Sequence, residues 1–261
     1  MAAQALAVNG AKVYIVGRTA EKLDNVVKTY GQDIEGEIIA LQGDVTKKDD
    51  IKRLVEEIES REQCLCILIN NAGISSESLT TEVHSATEMQ EELFSTDKST
   101  FDDWADVYRT NVASVYFTTT AFLPLLQKSS ERHHGWSGTV INISSISGIV
   151  KSAQHHFSYN ASKSAAIHLT RLLAAEVANN HLKVRINSIA PGVFPSEMTG
   201  SDSDQYQKSH LPKEKYAEKV PAGRPGRDVD MAQTILMFAA NQYLNGETLA
   251  VDGGYVLAHG S

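Results

Sequence analysis

Six short apolar runs, separated by stretches with helical spacing, constrain this chain more than any other feature. They predict strands at 12–17, 37–42, 64–70, 138–144, 183–190 and 248–251, and helices at 20–30, 47–60, around 100–127, 158–180 and 228–241. Strands that alternate with helices lie parallel, because a parallel pair needs a crossover and a helix supplies it. The expected fold class is α/β, a parallel sheet covered on both faces. No linker rich in Pro, Gly or Ser divides residues 1–261, so one domain is expected, and 42% hydrophobic residues suffice for a sizeable core.

Composition excludes several function classes. A formal charge of −8 argues against nucleic acid or an acidic membrane surface as the main partner. The apolar stretch from Val112 to Gln127 is too short to span a bilayer and contains Pro124. No basic leader opens the chain, and its end, His259-Gly260-Ser261, carries no retention signal, so a cytoplasmic protein is expected. Cys64 and Cys66 read as small apolar core residues on one side of a buried strand. The pairs His133-His134 and His155-His156 tempt a metal assignment. Adjacent residues diverge, however, and no cysteine or carboxylate sits at ligand spacing, so surface loops are the expectation and no metal site is assigned.

Tyr159 and Lys163 are four residues apart on a predicted helix, which puts a phenol and an ammonium on one face. An ammonium near a phenol favours the phenolate, and a tyrosine so tuned can give or take a proton. Upstream, the strand Thr139–Ile143 ends on Ser144-Ser145. An earlier strand ends in Asn70-Asn71-Ala72-Gly73, and a later one breaks at Pro191-Gly192. With Asn111-Val112 and Val251-Asp252-Gly253-Gly254, these blocks stand in an order that resembles the short-chain dehydrogenase/reductase family, in its shorter single-domain branch. The resemblance spans the whole chain and implies a Rossmann-like doubly wound sheet.

It further implies an oxidoreductase that reduces a carbonyl, or oxidises a secondary alcohol, by hydride transfer. Tyr159 would be the acid/base, and Lys163 would lower its pKa and hold the nicotinamide ribose. Ser145, with Ser144 as an alternative on spacing alone, would bond the substrate oxygen as charge develops there. Asn111 would hold a proton-relaying water, although an Asn bonded to backbone is the simpler reading of that residue alone. For the cofactor, Asp44 and Val45 match adenine contacts, and Asn70, Asn71, Ala72 and Gly73 allow close backbone approach. Pro191, Gly192, Val193 and Thr199 match contacts to the nicotinamide carboxamide or the phosphates. Arg18 follows the second strand with no carboxylate at the turn, which favours NADP(H) over NAD(H). The region 193–221 matches a substrate lid, and 75–97 reads as a surface excursion. Fourteen residues separate Ser145 from Tyr159, one more than is common in the family, so an altered loop is expected before the catalytic helix. A homodimer or homotetramer is implied, through the helices carrying Asn111 and Tyr159, with Ala165, Leu169, Leu172 and Leu173 as apolar outer positions. Substrates from 3-oxoacyl thioesters to steroids, sugars, polyols and secondary-metabolite ketones are compatible.

One part of the family pattern has no counterpart here. The opening strand and its TGxxxGxG turn, whose backbone N–H groups would bind pyrophosphate, are absent, and residues 1–10 read as the later part of the following helix. Two expectations follow: the natural protein starts roughly 15–30 residues earlier, and the chain as written leaves two buried strand edges unpaired or pairs them differently. A catalytically silent member, acting as an oligomer partner or binding module, is the alternative.

Overall fold

A computed structural model describes residues 1–200, 203–212 and 214–261. A short opening helix, α1 (Ala2–Ala7), leads into β1 (Lys12–Gly17), α2 (Ala20–Tyr30), β2 (Glu37–Gln42), α3 (Lys48–Arg61) and β3 (Ile67–Asn70). The surface excursion holds α4 (Ala86–Gln90) and is followed by α5 (Phe101–Tyr108) and α6 (Ser114–Arg132). Then come β4 (Gly138–Ile143), α7 (Phe157–Asn179), β5 (Val184–Pro191), α8 (Asp228–Ala240), β6 (Thr248–Val251) and α9 (Tyr255–His259). Every pairing is parallel, as the alternation of strand and helix requires.

The central strands carry side chains to two cores. Val140 and Ile186 meet Leu54, Ile58, Leu125, Leu126 and Leu173 from α3, α6 and α7 on one face. Ile141 and Ile189 meet Leu6 of α1 and Met231, Ile235 and Phe238 of α8 on the other. Successive residues of a strand point to opposite faces, so neighbours Val140 and Ile141 serve different cores. Full burial of side chains such as Leu126 or Ile235 contributes about 1.5–3 kcal/mol each.

The sheet is interrupted. β1 pairs only with β2, and β3, β4, β5 and β6 form a separate sheet in that order. No described strand pairs with the free edges of β1 and β3, although Val13 of one and Ile67 and Ile69 of the other pack on the same core. The expectation of a different pairing is therefore not met: the remaining strands keep their partners and the first position of the sheet has no strand. Nor are the two edges buried. β1 and β3 are half-exposed along most of their length, whereas β4 and β5 are almost wholly buried. Solvent reaches the unpaired groups, which spares them part of the 1–3 kcal/mol each would cost when buried, roughly speaking.

Three other expectations change. Strand β3 begins at Ile67, so Cys64 and Cys66 lie in its half-buried approach and not within a strand. Leu173 faces the core, while Leu172 is 50% exposed. The region 193–221, outside 201, 202 and 213, is anchored inward by Phe194, Tyr216 and Val220. Lys22 and Lys208 tie it to its surroundings through ion pairs with Glu197 (2.7 Å) and Asp228 (2.9 Å). Among the described residues, no helix is long and apolar enough to cross a membrane.

Candidate active site

The carboxyl ends of β3, β4 and β5 converge with the start of α7. Parallel strands end together, so the loops that follow them form one surface, and this is where open α/β sheets bind ligands. Ser144 and Ser145 leave β4 side by side but do different things. The Ser144 hydroxyl donates to Ile189 O (2.9 Å) and accepts from Ser188 Oγ (2.8 Å), which fixes it between β4 and β5. The Ser145 hydroxyl stands beside the Tyr159 phenol, and its Oγ accepts from Ser147 N (3.1 Å) to open a single 3-10 turn. Of the two serines, Ser145 is the one beside Tyr159.

Lys163 stands one turn beyond Tyr159 on α7, 5% exposed, with Nζ 5.6 Å from the centre of the phenol ring. It donates to Ile143 O (3.1 Å). Burial draws this ammonium down from 10.5 to about 8. Burial also pushes the Tyr159 phenol above its ordinary value, against a lowering contribution from the Ser145 hydroxyl. Lys163 Nζ faces the phenol ring and the Ile143 carbonyl.

Between α5 and α6 the helix widens into a π-turn, Arg109–Ala113, a local bulge common at functional sites. It turns Asn111 fully inward. Oδ1 accepts from Ile74 N (2.9 Å), while Nδ2 donates to Ile74 O (3.0 Å) and Ser162 Oγ (3.0 Å). Asn111 thus clamps the loop after β3 onto α7. Gly73 lies in that loop, and a Cβ there would stand 3.2 Å from Asn111 Oδ1 and 3.4 Å from Lys163 Nζ. Asn70 points instead into the fold, donating to Thr119 Oγ1 (2.9 Å) and Asn142 Oδ1 (2.8 Å). Asn71 and Ala72 are exposed on the site surface.

On the far side, Pro191 ends β5 and Gly192 packs where a Cβ would lie 2.7 Å from Asp252 Cα. Val193 follows half-buried. Thr199 is exposed, and its hydroxyl is held by Phe194 O and Ser196 N in a turn of that region. In the loop ahead of α7, Gln154 and His155 have positive φ (50° and 68°), which non-glycine residues rarely adopt. Here His155 and His156 are fasteners, because Leu79 N donates to His155 O (2.9 Å) and Ser76 Oγ lies 3.2 Å from His156 Nδ1.

A cavity of about 490 Å³ opens at the carboxyl ends of β1 and β2, lined by Arg18, Gln42, Asp44, Lys47, Asp50 and Arg53 among others. Asp44 accepts from Thr46 Oγ1 (2.7 Å) and Thr46 N (3.0 Å), and these bonds hold its carboxyl below the usual range. Val45 beside it is half-buried. Three cations face two carboxylates in this lining. Lys47 and Arg53 escaped the sequence reading; their signal was the basic residues that follow Asp44 into α3.

The geometry is that of a parallel α/β protein with a polar cluster at the strand ends. Residues 1–207 match the family model of short chain dehydrogenases. The chain is 38% identical over 259 residues to the short-chain dehydrogenase/reductase PhomF' of Diaporthe leptostromiformis, covering 97% of this chain and 86% of that protein. It is 31% identical over 259 residues to the 3-oxoacyl-acyl-carrier-protein reductase of rhamnolipid biosynthesis from Pseudomonas aeruginosa, covering 98% and 91%. Among solved structures, the Pseudomonas aeruginosa RhlG/NADP active-site complex superimposes with a TM-score of 0.77 at 30% identity, over 97% of this chain and 90% of that one. The chain belongs to the short-chain dehydrogenase/reductase family and is an oxidoreductase of that family.

Proposed function

We propose that the protein is an NADP(H)-dependent ketone reductase whose catalytic residues are Ser145, Tyr159 and Lys163. The observation that carries this reading is the convergence of the Ser145 hydroxyl and the Tyr159 phenol with the buried Lys163 ammonium at the carboxyl end of the sheet. A bound nicotinamide would supply the hydride. Tyr159 gives its proton to the carbonyl oxygen, and Ser145 stabilises the charge that develops on that oxygen. Lys163 binds the ribose beside Gly73, where the absence of a side chain leaves Nζ accessible. Asn111 holds that loop in place; both ends of its amide are engaged, so a proton-relaying water would meet it only as a second donor to Oδ1.

The residues present fit the two ends of the cofactor. Arg18, Lys47 and Arg53 around the 490 Å³ cavity suit a 2′-phosphate, and the likeness to an NADP complex supports the same preference. The likeness to a 3-oxoacyl-acyl-carrier-protein reductase supports a ketone as substrate. Exposed Tyr116 and Phe117 on α6 and Leu172 on α7 suit a homo-oligomer through those helices. A cytoplasmic setting remains part of this proposal.

The test is Tyr159→Phe. Turnover with NADPH should vanish while NADPH binding stays within about twofold, since the lost hydroxyl acts on the substrate proton. Turnover at the wild-type level would refute the assignment. A second reading, a catalytically silent family member acting as an oligomer partner or binding module, is favoured by the gap between β1 and β3, where no glycine-rich turn stands. A folded chain that binds no NADPH would support it.

A further inference from the structure

At the opposite, amino-terminal end of β3 and β4, the chain brings together three soft ligands that neither the family nor the proposed reaction uses. The thiols of Cys64 and Cys66 and a ring nitrogen of His133 all lie within 4.8 Å of one another. Sequence spacing hid this, because 67 residues separate Cys66 from His133 and only the packing of α6 beside β3 joins them. We propose that Cys64, Cys66 and His133 form a zinc site, closed by water as the fourth ligand.

The donors are of the right kind. Zn²⁺ takes thiolate sulfur at about 2.3 Å and imidazole nitrogen at about 2.0–2.1 Å, in a tetrahedron whose ligand atoms stand roughly 3.5–3.8 Å apart. A contraction of about 1 Å in the widest pair would complete the geometry. The framework holding the donors is firm. Leu65 N donates to Leu125 O (3.1 Å) and Thr139 N to Cys66 O (2.9 Å), which locks the cysteine segment between α6 and β4. His133 caps α6, with its backbone N bonded to Ser129 O (3.1 Å). Its Nδ1 lies 3.0 Å from the same carbonyl, so a proton there leaves Nε2 with the lone pair, the orientation that metal-bound histidines commonly receive from a backbone oxygen.

A second observation points to the same place. Ser129 is fully buried, yet its Oγ makes no conventional hydrogen bond among the described residues; its polar neighbour is the Cys64 sulfur. A thiolate there is a far better acceptor for that hydroxyl than a thiol, so a cation that ionises Cys64 would also satisfy Ser129. His133 is exposed and gives the ion an entry path. The neighbouring His134 and the His155-His156 pair are not part of the cluster.

The experiment is a titration of the metal-free full chain with Co²⁺ and then Zn²⁺. One equivalent of Co²⁺ should produce a thiolate-to-metal charge-transfer band that one equivalent of Zn²⁺ abolishes. Cys64→Ser and Cys66→Ser should lose most of the band, and His133→Ala should weaken binding at least about tenfold. His134→Ala should leave both unchanged. Circular dichroism on each variant separates loss of the site from loss of the fold. If the cysteine variants unfold, alkylation of the wild type decides: Zn²⁺ should slow modification of both thiols. A folded wild type that binds Co²⁺ without a thiolate band, through surface histidines only, would overturn the proposal, and so would thiols that Zn²⁺ leaves unprotected.

Discussion

Replacing Lys163 with methionine is expected to make the protein more stable at neutral pH while abolishing turnover. The reasoning starts from burial: at 5% exposure the ammonium has little water, and its pKa falls from 10.5 to about 8. A lysine with a depressed folded value costs stability wherever it is charged in the native state, that is, below about pH 8. Between 8 and 10.5 the unfolded chain binds the extra proton, so stability rises with pH and the cost disappears above 10.5. At pH 7 the cost is about 3 kcal/mol, and at pH 9.5 about 1 kcal/mol. Loss of the Lys163–Ile143 hydrogen bond returns about 1 kcal/mol. Lys163→Met should therefore stabilise by about 2 kcal/mol at pH 7 and by almost nothing at pH 9.5. Urea unfolding of both proteins at the two pH values reads this directly. A variant that is less stable at pH 7, or whose advantage does not shrink with pH, would contradict the account of a charge kept buried for function.

Other residues give independent outcomes. Asn111→Ala strips partners from Ile74 N, Ile74 O and Ser162 Oγ, so about 2–4 kcal/mol of stability should be lost in thermal or urea unfolding. Gly148→Ala would set a Cβ 2.5 Å from the Lys163 carbonyl carbon and should cost about 1–3 kcal/mol, with impaired turnover because the backbone of Lys163 must shift. Arg18→Asp, alone or with Arg53→Ala, should raise the KM for NADPH on the order of tenfold to a hundredfold and swing preference toward NADH, as expected for a charged hydrogen bond worth about 1.5–3 kcal/mol; an unchanged ratio of the two cofactors would remove these cations from the site.

The sheet was legible because a buried parallel strand is a short continuous apolar run, and β1 and β2 match their expected bounds. The helix expected around 100–127 runs without interruption from Phe101 to Arg132; its π-turn at Asn111 was not legible, because no glycine or proline marks it. The site residues were legible as an order of short blocks, yet their electrostatics were not. Whether Lys163 tunes Tyr159 depends on where Nζ points, and its Ile143 partner is a tertiary fact. Likewise, only the tertiary bonds of Ser144 to Ile189 O and Ser188 Oγ show that it is occupied, leaving Ser145 beside Tyr159. The Cys64–Cys66–His133 cluster was invisible for the same reason: it joins distant segments across α6 and β3. The missing strand was read correctly as a gap, but its physical consequence is an open, solvent-reached break rather than a rearranged sheet.

Direct titration of the folded 261-residue chain with NADPH, followed by nucleotide fluorescence, tests the central claim. The account predicts saturable binding that 2′-phospho-AMP displaces more effectively than AMP, because Arg18, Lys47 and Arg53 face the cavity at β1 and β2. A folded chain that shows no saturable binding, or is displaced equally by both competitors, would contradict an NADP(H)-dependent reductase.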